Sequence, residues 1–210
     1  MTATWRLAAA LAATALLGPA GSLPRASADA PAPAGISRTA ADACNSKVVR
    51  LQEFAAAPDP AKKQTTDFSE SEINSYLALE LSSKYHASLK SLELKFEEAK
   101  LRGSASIDFD ELQMRSKGVL AKLFTRLFSG THKLNLRGKL RAESGMGNFE
   151  LEEAQFDDTT LPNFLVEEII TAVGRKQKPP FDPMKPSHLP YGIESVDVRP
   201  GHVLVHQQRS

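Results

Sequence analysis

Leu92-Glu93-Leu94-Lys95-Phe96-Glu97, then Leu101-Arg102-Gly103-Ser104-Ala105-Ser106-Ile107-Asp108-Phe109, alternates small or apolar residues with polar ones. A period of two places one set on each face of an extended strand. One dry and one wet face is the pattern of antiparallel strands packed on a single side, because parallel strands buried on both faces read as continuous apolar runs. The pattern returns downstream, where Leu134, Leu136, Gly138 and Leu140 alternate with Asn135, Arg137 and Lys139. Phe149 and Leu151 continue it beyond Gly145-Met146-Gly147, which reads as a turn. Ala154 and Phe156 have the opposite parity to Leu151, so a β-bulge is expected near Glu153.

Helices surround these strands. Upstream, Phe68-Ser69-Glu70-Ser71-Glu72-Ile73-Asn74-Ser75-Tyr76-Leu77 holds a capping box, Ser69 with Glu72, in which each side chain answers an orphan backbone N–H. Phe68 before the cap and Ile73 at the fourth helical position form a hydrophobic staple. Ile73, Tyr76, Leu77 and Leu81 recur at helical spacing, which predicts a helix over 70–84. Val48, Val49, Leu51 and Phe54 mark a first helix over 40–57, stopped by Pro58-Asp59-Pro60. Phe164, Leu165, Val166, Ile169, Ile170 and Val173 mark another over 162–173, with Pro162 in its first turn, Glu167 and Glu168 outward, and Gly174 just past its end. Residues 175–190 are proline-rich and basic and read as a long irregular connection. The chain closes on a hairpin. Pro200-Gly201 at the centre of a type II turn sets Val198 opposite Val203 and Val196 opposite Val205.

Between the strands ending near 109 and beginning near 131 lies a different element. Ser116 and Gly130 can bound a helix on which Val119, Leu120, Leu123, Phe124, Leu127 and Phe128 fill an arc of about 180°, wider than the ~100° stripe that a surface helix needs. Residues 116–130 carry Lys117, Lys122 and Arg126 and no acid. Such a helix packs as ordinary core, or touches a ligand, a partner or a membrane surface, where its cations suit anionic headgroups.

Composition bounds the rest. The 210 residues carry 26 Lys and Arg against 25 Asp and Glu, a net charge of +1, which argues against a partner bound by neutralising many phosphates, so no nucleic acid is expected. A single cysteine rules out an intramolecular disulfide and a cysteine-based zinc site. Arg6, the apolar run Leu7–Leu17 and the small residues around Ala28 to Ala30 read as a secretory signal, cleaved near Ala28 to Ala30. Cleavage after Ala30 leaves 180 residues with 24 basic and 24 acidic side chains. Cys44 lies far beyond the apolar run and follows Ala41-Asp42-Ala43, unlike a lipoprotein cysteine, and reads as a free thiol on a helix face. The expected organisation is a signal over 1–30, a leader and first helix over 31–63, and one domain over 64–208, periplasmic or secreted.

No GxSxG elbow, phosphate loop, GxGxxG or HExxH occurs. His202 and His206 would lie roughly 13 Å apart on a strand, too far to share an ion, and read as exposed strand histidines. His86, His132 and His188 have no acid or cysteine at a recognisable spacing. Asp157-Asp158 reads as a helix-capping pair. No catalytic residue, metal or cofactor is expected, although a Ser-His-Asp set need not be close in sequence.

The run Phe68–Leu77 resembles an S/T-E-x-E-h-N-x-Y-L opening, and Leu189-Pro190-Tyr191-Gly192-Ile193 before a valine-rich hairpin resembles a closing segment, of bacterial envelope proteins with tubular lipid-binding (TULIP-like) domains, the LmeA-type and YpmS-type secreted proteins among them. The resemblance spans about residues 64–208. It implies a curved antiparallel sheet that encloses a lipid groove, and no catalytic residues. The short strands and the long proline segment depart from that family.

The expected fold is α+β, with a mainly antiparallel curved sheet of about six strands packed on two or more helices. The expected function is non-catalytic binding of a lipid or other apolar small molecule between the sheet residues Leu94, Phe96, Ile107, Phe109, Leu134 and Leu136 and the helix residues Val119, Leu123, Phe124, Leu127, Phe128 and Phe164. Lys122 and Arg126 would meet a headgroup or a membrane surface in peripheral contact. The alternatives are an envelope interaction module docking on a protein partner and, third, a hydrolase.

Overall fold

A computed structural model of the chain describes residues 35–56, 63–112, 129–157, 159–178 and 180–208. The expected signal, the Pro58-Asp59-Pro60 stop, Asp158 and nearly all of the 116–130 helix lie outside the described residues. The elements, in chain order, are α1 (Arg38–Ala56), β1 (Lys63–Ser69), α2 (Glu70–Tyr76, prolonged by a π-turn over Leu77–Leu81 and a 3-10 turn over Ser82–Lys84), β2 (Leu89–Glu97), β3 (Lys100–Asp108), α3 (Phe109–Leu112), β4 (Thr131–Glu143), β5 (Met146–Phe156), β6 (Thr159–Thr160), α4 (Asn163–Lys176), β7 (Ser187–His188), β8 (Ile193–Arg199) and β9 (His202–Gln208).

The chain is α+β, built on an open six-stranded antiparallel sheet ordered β2-β3-β4-β5-β6, with β7 also on β5. A second sheet, β1-β9-β8, is also antiparallel. Strand β1, Lys-Gln-Thr-Thr-Asp-Phe-Ser, has weak strand propensity and only Thr66 and Phe68 buried, so its pattern is too short to read as a strand without its partner. The terminal hairpin takes the register that the Pro-Gly turn predicts, with Val198 opposite Val203, Val196 opposite Val205, and Gly201 at φ +74°.

The expected bulge is present. Arg137 pairs with Glu153 and Gly138 with Leu151, so Glu152 is the extra residue that keeps Ala154 and Phe156 on the inner face. The β4–β5 turn falls one residue before the expected place. Ser144 and Gly145, both at positive φ, sit between paired Glu143 and Met146, which is a type I′ connection matched to strand twist. Phe109, expected on β3, opens the short α3 instead. Helix α4 runs two residues past Gly174 because that glycine is used for close approach: a Cβ there would meet the Phe181 carbonyl oxygen at 2.7 Å.

The capping box forms as read, with Glu72 N–H donating to Ser69 Oγ (3.2 Å) and Ser69 N–H to Glu72 Oε2 (2.8 Å). The same short helix covers an edge of the large sheet. Asn74 donates from Nδ2 to the Leu94 carbonyl (2.7 Å) and accepts the Leu94 N–H on Oδ1 (2.8 Å), while Glu70 accepts the Phe96 N–H (2.8 Å). One side chain thus does for β2 what a neighbouring strand would do.

Two cores result. The first lies among α1, α2, the small sheet and one half of the large one, and holds Cys44, Val48, Phe68, Ile73, Leu77, Leu94, Phe96, Leu101 and Val203. The second lies between the other half of the large sheet and α3 and α4, and holds Ile107, Phe109, Leu112, Leu134, Phe156, Val166 and Ile169. Leu92 and Leu151 pack against both.

Candidate apolar binding site

The inner face of the large sheet is covered from two sides. Cross-strand pairing builds its rows. Leu94, Gly103, Leu136 and Ala154 form one; Leu92, Ala105, Leu134 and Phe156 lie beside it; Phe96, Leu101, Gly138 and Leu151 lie on the other side. Where the two covers meet, Leu92, Leu136 and Leu151 are only partly buried, although all three belong to the face that makes the cores. Gly103 sits between them with no side chain, and a Cβ there would touch only Leu94, at 3.7 Å. The three leucines form a diagonal apolar band across the sheet, with buried Gly103 in the row of Leu94 and Leu136.

The expected site residues divide between the halves. Leu94 and Phe96 are buried in the first core, and Ile107, Phe109 and Leu134 in the second, with Leu136 partly buried beside them. Phe164 stands apart at the start of α4 with 61% of its surface exposed. Val119, Leu123, Phe124, Leu127 and Phe128, with Lys122 and Arg126, lie outside the described residues. Leu92, Leu151 and Gly103 were read from sequence as strand residues but not as part of the site. Only Gly103 carried a local signal, since a glycine within a strand marks either close approach or missing side-chain volume.

A polar pair lies on the inner face one row beyond Leu134, at the start of β4. His132 and Asp157, which no spacing joins in sequence, are brought together there. His132 Nδ1 lies 2.8 Å from Asp157 Oδ2 and Nε2 lies 2.9 Å from the Ser129 carbonyl oxygen. Both partners can accept, an arrangement that favours the doubly protonated ring. The hydrogen bond to Asp157 raises the histidine pKa above its ordinary value and lowers that of the acid. The ring also packs against Phe109 and Phe156, at centroid distances of 5.8 and 4.7 Å. Asp157 therefore caps no helix. It stands at φ +50° and accepts the Lys133 N–H as well, tying the end of β5 to β4.

Several of the other chemistry-bearing side chains have structural partners. Cys44 is fully buried on α1, and burial, with the Glu72 charge second, pushes its thiol up to about 12, so it is no nucleophile at neutral pH. Ser88 is fully buried, and its hydroxyl and N–H both turn to His86 Nδ1. Of the two strand histidines, His202 is exposed and pairs with Asp67 (3.1 Å), while His206 is half-buried and pairs with Asp197 (3.0 Å) and with the Thr65 hydroxyl (2.9 Å). Among the described residues no three His, Cys, Asp or Glu converge as a metal site. The outer face of the large sheet is a ladder of opposite charges, Arg102–Glu97–Arg137–Glu153 and Lys100–Glu152–Lys139, which largely neutralises itself. At the far end an open depression of about 450 Å³ is lined by Met146, Phe181, Pro186 and His188, with Lys185 held 3.6 Å from Asp182.

No described helix is long and apolar enough to cross a membrane. Comparison of the chain with protein-family models, with curated proteins and with solved structures found no match.

Proposed function

We propose that this protein is a non-catalytic binder of an apolar ligand, a lipid acyl chain or a molecule like it, acting outside the cytoplasm. The observation that carries this reading is the partial burial of Leu92, Leu136 and Leu151 on the face whose other large side chains make the cores. A chain laid along that band would exchange water for the half-buried side chains of Leu92, Leu136 and Leu151. Each methylene so buried contributes about 0.8 kcal/mol. The apolar residues Leu123, Phe124, Leu127 and Phe128 are the candidates to cover the guest, with Lys122 and Arg126 for an anionic headgroup. The fit of His86, Ser88, Cys44, His132, His202 and His206 into structural contacts supports binding over catalysis.

The test is native mass spectrometry of protein purified without detergent, with uptake from phosphatidylglycerol vesicles as a second arm. A bound mass that extracts as lipid is expected for the wild type and absent for Leu136→Asp, which places a charge on the band. Replacing both Leu123 and Leu127 with Asp should also abolish uptake. A folded Leu136→Asp variant that loads lipid like the wild type sinks the site. A second reading, docking of one end on an envelope protein partner, is favoured by the exposure of Phe164 alone. It predicts that Phe164→Ser releases a captured partner while lipid loading is unchanged.

A further inference from the structure

The two sheets have four edges, and backbone or side-chain partners interrupt three of them. On β2, Asn74 and Glu70 occupy Leu94 and Phe96. On β8, the outward carbonyls of Glu194 and Val198 accept the N–H groups of Gly145 (2.9 Å) and Ala99 (3.1 Å) at the tips of the two large-sheet hairpins. On β5, a bulge, β6, β7 and the Phe149–Pro183 hydrogen bond break the row. Strand β1 is different. In a two-residue hairpin the residues flanking the turn, here Arg199 and His202, bond each other, so even-numbered β9 residues face β8 and odd-numbered ones face β1. The odd partners Gln207, Val205 and Val203 then take Gln64, Thr66 and Phe68. The N–H and C=O groups of Lys63, Thr65 and Asp67 consequently point away from the sheet, three outward residues in succession with no backbone partner among the described residues.

Those three residues are complementary to themselves. An antiparallel copy centred on Thr65 places Thr65 opposite Thr65, Lys63 opposite Asp67, and Asp67 opposite Lys63. Each is a hydrogen-bonded pair, so six backbone hydrogen bonds form at once, with two opposite-charge pairs on a single face around the Thr65 side chains, whose hydroxyls stay with His206 Nδ1 (2.9 Å). We propose that β1 is a homodimer edge, joining the small sheets of two copies of this chain into one six-stranded sheet about a two-fold axis at Thr65. The charges that keep an edge strand from pairing with arbitrary strands here select this one.

Sedimentation of the native protein over a wide concentration range should show one chain passing to two. Thr65→Pro removes an outward N–H at an edge position where proline is tolerated, and should leave a folded monomer. Asp67→Lys sets Lys63 against a lysine and should weaken the dimer by roughly tenfold or more. The double variant Lys63→Asp/Asp67→Lys should restore it, which a lost Asp67–His202 contact cannot explain. Residues in a hydrogen-bonded pair have Cα atoms about 5.5 Å apart, within disulfide reach, so Thr65→Cys should form a covalent dimer on oxidation, with buried Cys44 uninvolved. A native protein that stays single-chain at every concentration overturns the proposal. So does a dimer indifferent to Thr65→Pro, or a Thr65→Cys variant that does not cross-link.

Discussion

Asn74 shows how much one side chain can decide. It is 8% exposed and answers both backbone groups of Leu94, so Asn74→Ala would leave two buried polar groups unpaired. A loss of about 2–4 kcal/mol is expected, read as a lower denaturant midpoint with an unchanged slope. His132 makes a second residue-scale case. Its folded pKa is raised, so its contribution is complete below the unfolded value of about 6.5 and is lost as pH rises through the folded one. The pKa of Asp157 is lowered, so its contribution is present above the unfolded carboxylate value of about 3.9 and is lost as pH falls through the folded one. The pair therefore stabilises most between those limits. Asp157→Asn should move the His132 titration, followed by ring-proton NMR, down toward 6.5 and remove the pH-dependent part of the stability in that window. An unmoved titration would mean that the acid does not set the histidine's charge. The capping box was legible because all its partners lie within four residues. The Asn74 clamp and the His132–Asp157 pair were not, because their partners are 20 and 25 positions away.

Elements follow the sequence where periodicity governs and depart from it where a neighbour intrudes. Helix α4 is the clearest departure. Gly174 reads as a helix stop, yet the helix passes through it to Lys176, and the Phe181 carbonyl and Pro183 ring lie against its bare Cα. Ordinary propensity makes Gly→Ala within a helix stabilising by about 1 kcal/mol. Here the added methyl has no room, so Gly174→Ala should destabilise by about 1–3 kcal/mol instead, measured by thermal or denaturant unfolding. A stabilised variant would show that the 177–183 connection yields easily. The β4–β5 turn teaches the same lesson on a smaller scale. Gly145 and Gly147 both looked available, and pairing Glu143 with Met146 chose Ser144-Gly145, the only placement that satisfies strand twist in that register.

At the scale of the molecule, one sheet runs beneath two cores, and Leu92 and Leu151 belong to the boundary of both. Loss of either core would strip one face of the same strands, so a single cooperative transition is expected. All three tyrosines, Tyr76, Tyr85 and Tyr191, lie in or against the first core, whereas α4 covers the second. Tyrosine absorbance and far-UV circular dichroism should therefore trace the same unfolding curve; curves that separate would mean the cores fold independently. The sequence by itself determined the α+β class, the antiparallel strands with their dry face, the bulge, the capping box and the register of the final hairpin. These rest on periods of two and 3.6 residues and on turn chemistry, all of which act between near neighbours. Only the tertiary structure decided that β1 is a strand, that the terminal hairpin joins it in a second sheet, and that Leu92, Leu136 and Leu151 stay half-buried under the two covers of the large sheet. Each of those outcomes depends on which distant segments compete to bury the same face, and a local pattern carries no record of that competition.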